Sequence, residues 1–227
     1  MRPSVPALLS FNGGYVDSAG FLAIHGLFSA HVTGNFVTIG AALVFGTSGV
    51  FTKLLALPVF CAVVLLTRLA SFHLARRDWP ALEPLLALKV LLLIAAAVMA
   101  IRWRSFPNGD AGPAMITGMM LVAAMAIQNA VHRILLAGSP PSTLMTGTTT
   151  QIMMDLADLL QGAAPEVRAV TVRRIRGLST AMAGFAGGAA TAALLFHWLG
   201  TWNFALPPVV AMLTLFAARR PQAKASG

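Results

Sequence analysis

Charge is what this 227-residue chain has least of: charged residues make up 10% of it, and only 7 are acidic. A soluble domain carries about 25%, so this share, with 57% hydrophobic residues and a mean hydropathy of +0.78, identifies an integral membrane protein. Cysteine is nearly absent. Cys61 stands alone inside an apolar run, which excludes an intrachain disulfide and a thiolate metal site and leaves the residue a packing role. No Gly-x-Ser-x-Gly, no phosphate-binding loop, no His-Glu-x-x-His and no Cys-x-x-Cys occurs. Enzyme chemistry therefore has no nucleus, and no cofactor is expected. Alternating strands of about ten residues are missing too, whereas apolar runs of about 20 residues recur, so the spans are helices and not barrel strands.

What charge there is has one sign, a net +9. It is not spread as a nucleic-acid surface would be, because no basic stripe with interleaved aromatics forms. The basic residues instead flank the apolar runs, at Arg76-Arg77, Arg102 and Arg104, Arg168 to Arg176, and Arg219-Arg220. Such flanks encode orientation. The N-terminal apolar stretch has no small-residue cleavage site and reads as a retained first span.

Along the chain, residues 7–28 form a span interrupted by Asn12, Gly13, Gly14, Asp17, Ser18 and Gly20, and residues 29–45 a short helix opened by Thr33-Gly34-Asn35. Full spans follow at 51–72 and 81–101. The turn-rich cluster Pro107-Asn108-Gly109-Asp110-Ala111-Gly112-Pro113 then separates two halves. In the second half, 114–136 is a span carrying Gln128, Asn129, His132 and Arg133, and 143–160 a second short polar helix. A basic loop at 165–176, a small-residue span at 178–199 with Gly184, Gly187 and Gly188, a last span at 204–218 and a polar tail complete the chain.

The halves echo each other. Asp17 falls opposite Asn129, and Thr33-Gly34-Asn35 opposite Thr146-Gly147-Thr148. Repeated polar segments inside a membrane are what inverted-repeat transporters use to build a central site. The expected fold is a single all-α membrane domain over 1–227 of about six transmembrane helices plus two short polar motif helices. Two inverted repeats cover 5–104 and 114–218, with a linker at 105–113 and a disordered tail at 219–227. Eight spans in parallel repeats are the alternative. The inverted arrangement is preferred because the helix at 143–160 is too polar to face lipid, and both arrangements put the termini in the cytoplasm.

An acid in mid-span costs about 2.5 to 3.5 kcal/mol, so Asp17 is either a proton, cation or substrate contact or a carboxylate fixed by hydrogen bonds. Thr33, Gly34 and Asn35, with Thr146, Gly147 and Thr148, offer helix N-termini whose amides favour a negative group, or simply cap their helices. Gln128, Tyr15 and His31 are weaker candidates, and His31 reads as a helix-end residue near the interface. Arg133 lies one turn beyond Asn129 and is an anion contact or, like Arg68, a residue reaching for the headgroups. Asp155 and Asp158 read as partners of the basic loop. No metal site is expected.

At Gly14-Tyr15-Val16-Asp17-Ser18-Ala19-Gly20-Phe21-Leu22, His31-Val32-Thr33-Gly34-Asn35-Phe36, Gln128-Asn129-Ala130 and Ser142-Thr143-Leu144-Met145-Thr146-Gly147-Thr148 the sequence resembles the YoaK-like family of small bacterial inner-membrane proteins. That resemblance implies a multi-span protein of the cytoplasmic membrane and no known substrate. The functional expectation from the residues is a small secondary transporter or channel with a midplane site built from Asp17, Thr33, Gly34, Asn35, Gln128, Asn129, Arg133, Thr146, Gly147 and Thr148. The alternative is a scaffold or sensor whose polar motifs are structural. Expected partners are the lipid bilayer and a small-molecule or ion substrate, with a homo-oligomer left open and no nucleic acid.

Overall fold

A computed structural model describes residues 4–162 and 164–219, so Arg2, Arg220 and the tail beyond it lie outside the described residues. Those residues form eight α-helices: α1 Val5–Ala23, α2 Asn35–Phe45, α3 Val50–Ala75, α4 Leu82–Trp103, α5 Gly112–Leu135, α6 Met145–Leu160, α7 Pro165–Leu199 and α8 Leu206–Ala218. Short 3-10 turns at Val32–Gly34 and Gly200–Ala205 lead into α2 and α8. Four stretches are long and apolar enough to cross a membrane, namely Val50–Ala75, Leu82–Trp103, Gly112–Leu135 and Pro165–Ala218, the last holding both α7 and α8. The chain is an all-α, multi-pass membrane protein. Large apolar side chains such as Phe36, Leu43, Leu65, Leu91 and Trp198 stand on the outside, where a bilayer takes the place of a core.

The expected basic loop at 165–176 is instead the start of a 35-residue α7. Pro165 opens that helix with Glu166 in its first turn, and nothing from there to Gly177 breaks a helix, so charge alone was a poor reason to expect a loop. At about 52 Å, α7 is far longer than the roughly 30 Å of hydrocarbon requires. Its basic stretch is tied to α6 through Asp155, which is fully buried and accepts from Arg174 Nε at 2.6 Å and Nη2 at 2.5 Å. Cys61 is also corrected: it lies exposed on the outer face of α3, not in the core.

The tightest contact joins α1 to α7, running parallel. A β-carbon on Gly14 would lie 2.0 Å from the Phe185 carbonyl oxygen, and one on Gly188 2.0 Å from that of Phe11, so the two backbones touch where only hydrogen fits. Gly184 serves the same contact, where a β-carbon would lie 3.4 Å from the Ala7 oxygen, while one on Gly187 would meet nothing within 4 Å. In the second large interface α5 runs parallel to α3 and antiparallel to α4, and α8 lies against α1 and α4. Tyr15 of α1, fully buried, donates to the Asn203 backbone oxygen at 2.9 Å and meets the Asn203 side-chain oxygen as well.

Two features of the first half matter for the site. First, α1 and α5 are antiparallel where they meet: Gln128 reaches Leu9 and Gly13, Leu121 lies beside Gly20, and Leu27 lies beside Gly118. Second, the segment holding α2 begins and ends in one place. A β-carbon on Gly49 would sit 3.3 Å from the β-carbon of His25. Both positions are pinned to the connection between α4 and α5, His25 Nε2 at 2.6 Å from the Phe106 oxygen and the Gly49 amide donating to Asp110 Oδ2 at 2.9 Å. Asp110 Oδ1 also accepts from the Thr52 amide at 2.9 Å, capping the otherwise unpaired N-terminus of α3 from outside the helix.

Candidate functional site

After α1 the chain reverses at His25 and Gly26, both with positive φ, and folds back beside the helix it has just left. The reversal leaves backbone amides in the interior without helical partners. Asp17 takes them: Oδ1 accepts from Ser29 N at 2.8 Å and Ala30 N at 2.7 Å, with His31 N more distant at 3.4 Å. Its Oδ2 lies 2.7 Å from His31 Nδ1, which makes Nδ1 the protonated nitrogen. Asn35 closes the loop from its other end, accepting from Phe28 N and donating to Phe28 O, each at 2.8 Å. Asp17 is 4% exposed. His31 stands at the start of the Val32–Gly34 turn, a helix end as expected, and is half-buried against Asp17.

The second half builds a related arrangement. Thr143, in the connection between α5 and α6, donates through Oγ1 to Asn129 Oδ1 at 2.6 Å, while Asn129 Nδ2 bonds its own helix at Met125 O. Gln128 bridges outward, donating to Leu9 O at 2.9 Å and Ser142 Oγ at 3.1 Å and accepting from Lys89 Nζ at 2.6 Å. The two arrangements meet. A β-carbon on Gly13 would lie 3.2 Å from each of Gln128 Nε2, Ser142 O and Thr143 Cγ2. The His31 ring lies against the Thr143 backbone and edge-on to Phe185, 5.3 Å between ring centres.

Of the residues expected at the site, Asp17, Gln128 and Asn129 are brought to this junction. Asn35 is buried but spent on its loop, and Gly34 packs beside Phe28. Thr33, Thr146 and Gly147 are exposed at the starts of α2 and α6, and Thr148 is buried with a hydroxyl that has no partner among the described residues. Arg133 lies beside the junction, lining with Arg68 and Asn129 a groove of about 380 Å³ whose walls include Phe60, Val64, Ile134 and Leu144. The Arg68 guanidinium lies over the Phe72 ring, 4.1 Å from its centre. No cluster of three metal-ligating side chains occurs among the described residues.

Sequence reasoning missed Lys89, Ser142 and Thr143. Lys89 has a signal in the sequence, being a lone base inside the apolar run of α4. Ser142 and Thr143 belong to the stretch that carries the family resemblance, but nothing in it singles them out as contacts, because their role depends on which helix the loop folds against.

The comparisons with known proteins agree with the membrane architecture and stop short of a function. The model of a family described as protein of unknown function (DUF1275) matches residues 5–217. The UPF0700 transmembrane protein YoaK of Bacillus subtilis (strain 168) is 30% identical over 163 residues, covering 70% of this chain and 69% of that protein. No solved structure matches. With a match from the start of α1 to the last residues of α8, the chain belongs to the DUF1275 family of proteins of unknown function.

Proposed function

We propose that the protein is a small secondary transporter of the bacterial inner membrane, built from two inverted repeats that meet at a polar site in mid-bilayer. One observation carries the reading: the tips of two inward-folded segments, Ser29 to His31 and Ser142-Thr143, converge between α1 and α5. The paired bonds support the repeat, since Asp17–His31 and Asn129–Thr143 each span 14 positions and the second pair lies 112 positions after the first. The antiparallel course of α1 and α5 supports the inversion. The adjacency of His25 and Gly49 supports a re-entrant α2, which at about 16 Å covers only half of the hydrocarbon. Six crossings, by α1, α3, α4, α5, α7 and α8, then leave both termini in the cytoplasm with most of the arginines.

Such a site discriminates solutes through hydrogen bonds at a neutral Asn129–Thr143 face and an ionisable Asp17–His31 face. Arg133 and Arg68 form an entrance that attracts anions. A second reading, a scaffold or sensor, is favoured by a different observation: every Asp17 bond described here goes to its own loop.

Hydrogen exchange at the Ser29 and Ala30 amides separates the two. A transporter must open there, so these amides exchange far faster than global unfolding allows, and a ligand found by thermal-shift screening of small anions, cations and metabolites slows them and enters proteoliposomes. Amides that exchange only on global unfolding would leave the scaffold reading standing.

A further inference from the structure

Lys89 is the costliest residue in the interior. Its side chain is fully buried in α4, and the one hydrogen bond it makes among the described residues is to the neutral Gln128 Oε1 at 2.6 Å. No carboxylate among those residues pairs with it. A lysine ammonium removed from water needs a counter-charge or several acceptors, whereas the amine form needs neither. A second buried group is idle: Asn12 of α1 is fully buried, and neither Nδ2 nor Oδ1 has a partner among the described residues. Leu9, three positions before Asn12, belongs to the same apolar cluster as Leu86, three positions before Lys89. Gln128 links both helices, donating to Leu9 O and accepting from Lys89. Unsatisfied buried polar groups call for an explanation, and the two helices that carry these are both bonded to one glutamine, α1 through Leu9 O and α4 through Lys89.

We infer that Lys89 is the proton-carrying group of the transporter proposed above, an amine in the packed state and an ammonium held by Gln128 and Asn12 when the junction between the halves opens to water. The inference rests on the transporter reading. In the step itself the amine lone pair takes a proton from hydronium in the water admitted on one side, an N–H bond forming as an O–H bond breaks and a water molecule leaves, and the ammonium returns the proton to a water molecule on the other side, re-forming hydronium and the free amine. Few groups compete for the proton. From α5 come His132, whose Nε2 lies 3.1 Å from Ser139 O and whose buried Nδ1 has no partner among the described residues, so that it is the one competing base, and the exposed Arg133. From α1 comes Asp17, committed to His31 and its loop amides. The turn Gly200–Ala205 and α8 carry no charged residue, and Glu83 and Arg102 sit at the two ends of α4 itself.

The sequence makes a direct test practical, since it holds three lysines, at 53, 89 and 224. In the full chain labelled with 15N-lysine and held in nanodiscs, the Nζ resonance lost in Lys89→Met belongs to Lys89 and reports its charge. It is expected to convert from amine to ammonium as the pH falls from about 9 to about 5, a range in which an ordinary lysine stays charged. A resonance fixed in one form across that range overturns the inference and leaves the transporter reading untouched. The companion measurement uses Ser142→Cys in a Cys61→Ala background. With its rate divided at each pH by that of an exposed reference cysteine, which removes the change in thiolate fraction, the introduced thiol is expected to react with a small methanethiosulfonate at least several-fold faster at low pH than at high pH, and Lys89→Met is expected to abolish that dependence. A Lys89 that titrates without changing the thiol's rate also overturns the proton-carrying role, because burial alone would produce the titration. A thiol sealed at every pH, in a protein that takes up no solute, fails the transporter reading on which the inference depends.

Discussion

The His31 ring meets the Asp17 carboxylate at 2.7 Å, so a residue fourteen positions further along completes the donor set that the amides of Ser29 and Ala30 begin. The carboxylate is thereby the organiser of the first inward fold. An asparagine at this position keeps one oxygen for the two amides but offers His31 an NH2 group where an acceptor was. Asp17→Asn is therefore expected to insert normally and lose about 1 to 3 kcal/mol of stability. His31→Ala should add little on top, because both changes remove one contact. Melting curves of the two single variants and the double variant measure this. Proteoliposome uptake by Asp17→Asn adds the functional half, and undiminished uptake in a destabilised protein would reduce Asp17 to an anchor.

The α1–α7 crossing makes a sharper prediction. Gly14→Ala or Gly188→Ala drives a methyl group into a backbone carbonyl that no rotamer change can move, and each is expected to cost about 3 kcal/mol or more. Gly187→Ala, one position away, meets nothing within 4 Å and is expected to stabilise α7 by about 0.5 to 1 kcal/mol. Denaturation of the three variants in one detergent checks the contrast. Equal effects at 187 and 188 would contradict the described crossing.

Asp110 gives the acid side of the stability profile. Partial burial works against its ionisation, but the amides of Thr52, Gly49 and Val50 at the start of α3 outweigh that and hold the carboxyl below its ordinary range. A lowered folded-state value means stability that is present above about pH 4, the unfolded carboxylate value, and lost as the pH falls through the folded one. Wild-type protein is expected to lose stability on acidification below that point, and Asp110→Asn to start less stable with a flatter acid limb. Thermal melts from neutral pH downward decide it, and parallel profiles would refute it.

The inverted arrangement is tested by labelling in a Cys61→Ala background. Arg77→Cys, after α3, is expected to be shielded from an impermeant thiol reagent added outside whole cells, and Ser105→Cys, after α4, to be labelled. The eight-span alternative reverses both results.

What could be read from the sequence divides along physical lines. Long apolar runs with basic flanks gave α3, α4 and α5 to within a few residues, because hydropathy over 20 or so positions is a property of the run itself. The pairing of Asp155 with the basic stretch could also be read, as opposite charges in an apolar chain have few alternatives. The basic stretch was misread as a loop because polarity marks water, not coil, and a helix that outruns the bilayer is charged at its end. Asp17 was legible as costly, but its partners were not: amides freed by a reversal at His25 and Gly26 are invisible until the loop is known to turn inward. Lys89 shows the reverse failure, a local signal passed over because the neighbouring motifs were more conspicuous.

The partnering of α1 with α7 has a consequence for synthesis. The glycine face of α1, with Gly14 at its centre, is covered by residues near 185 and 188, so roughly 170 further residues must leave the ribosome before that face finds its mate. During that interval Asn12 and Asp17 enter the membrane on a helix without its closest neighbour. Truncation anywhere before α7 is therefore expected to leave the Gly14 face uncovered, which faster proteolysis of a chain ending before Pro165 than of the full chain would show.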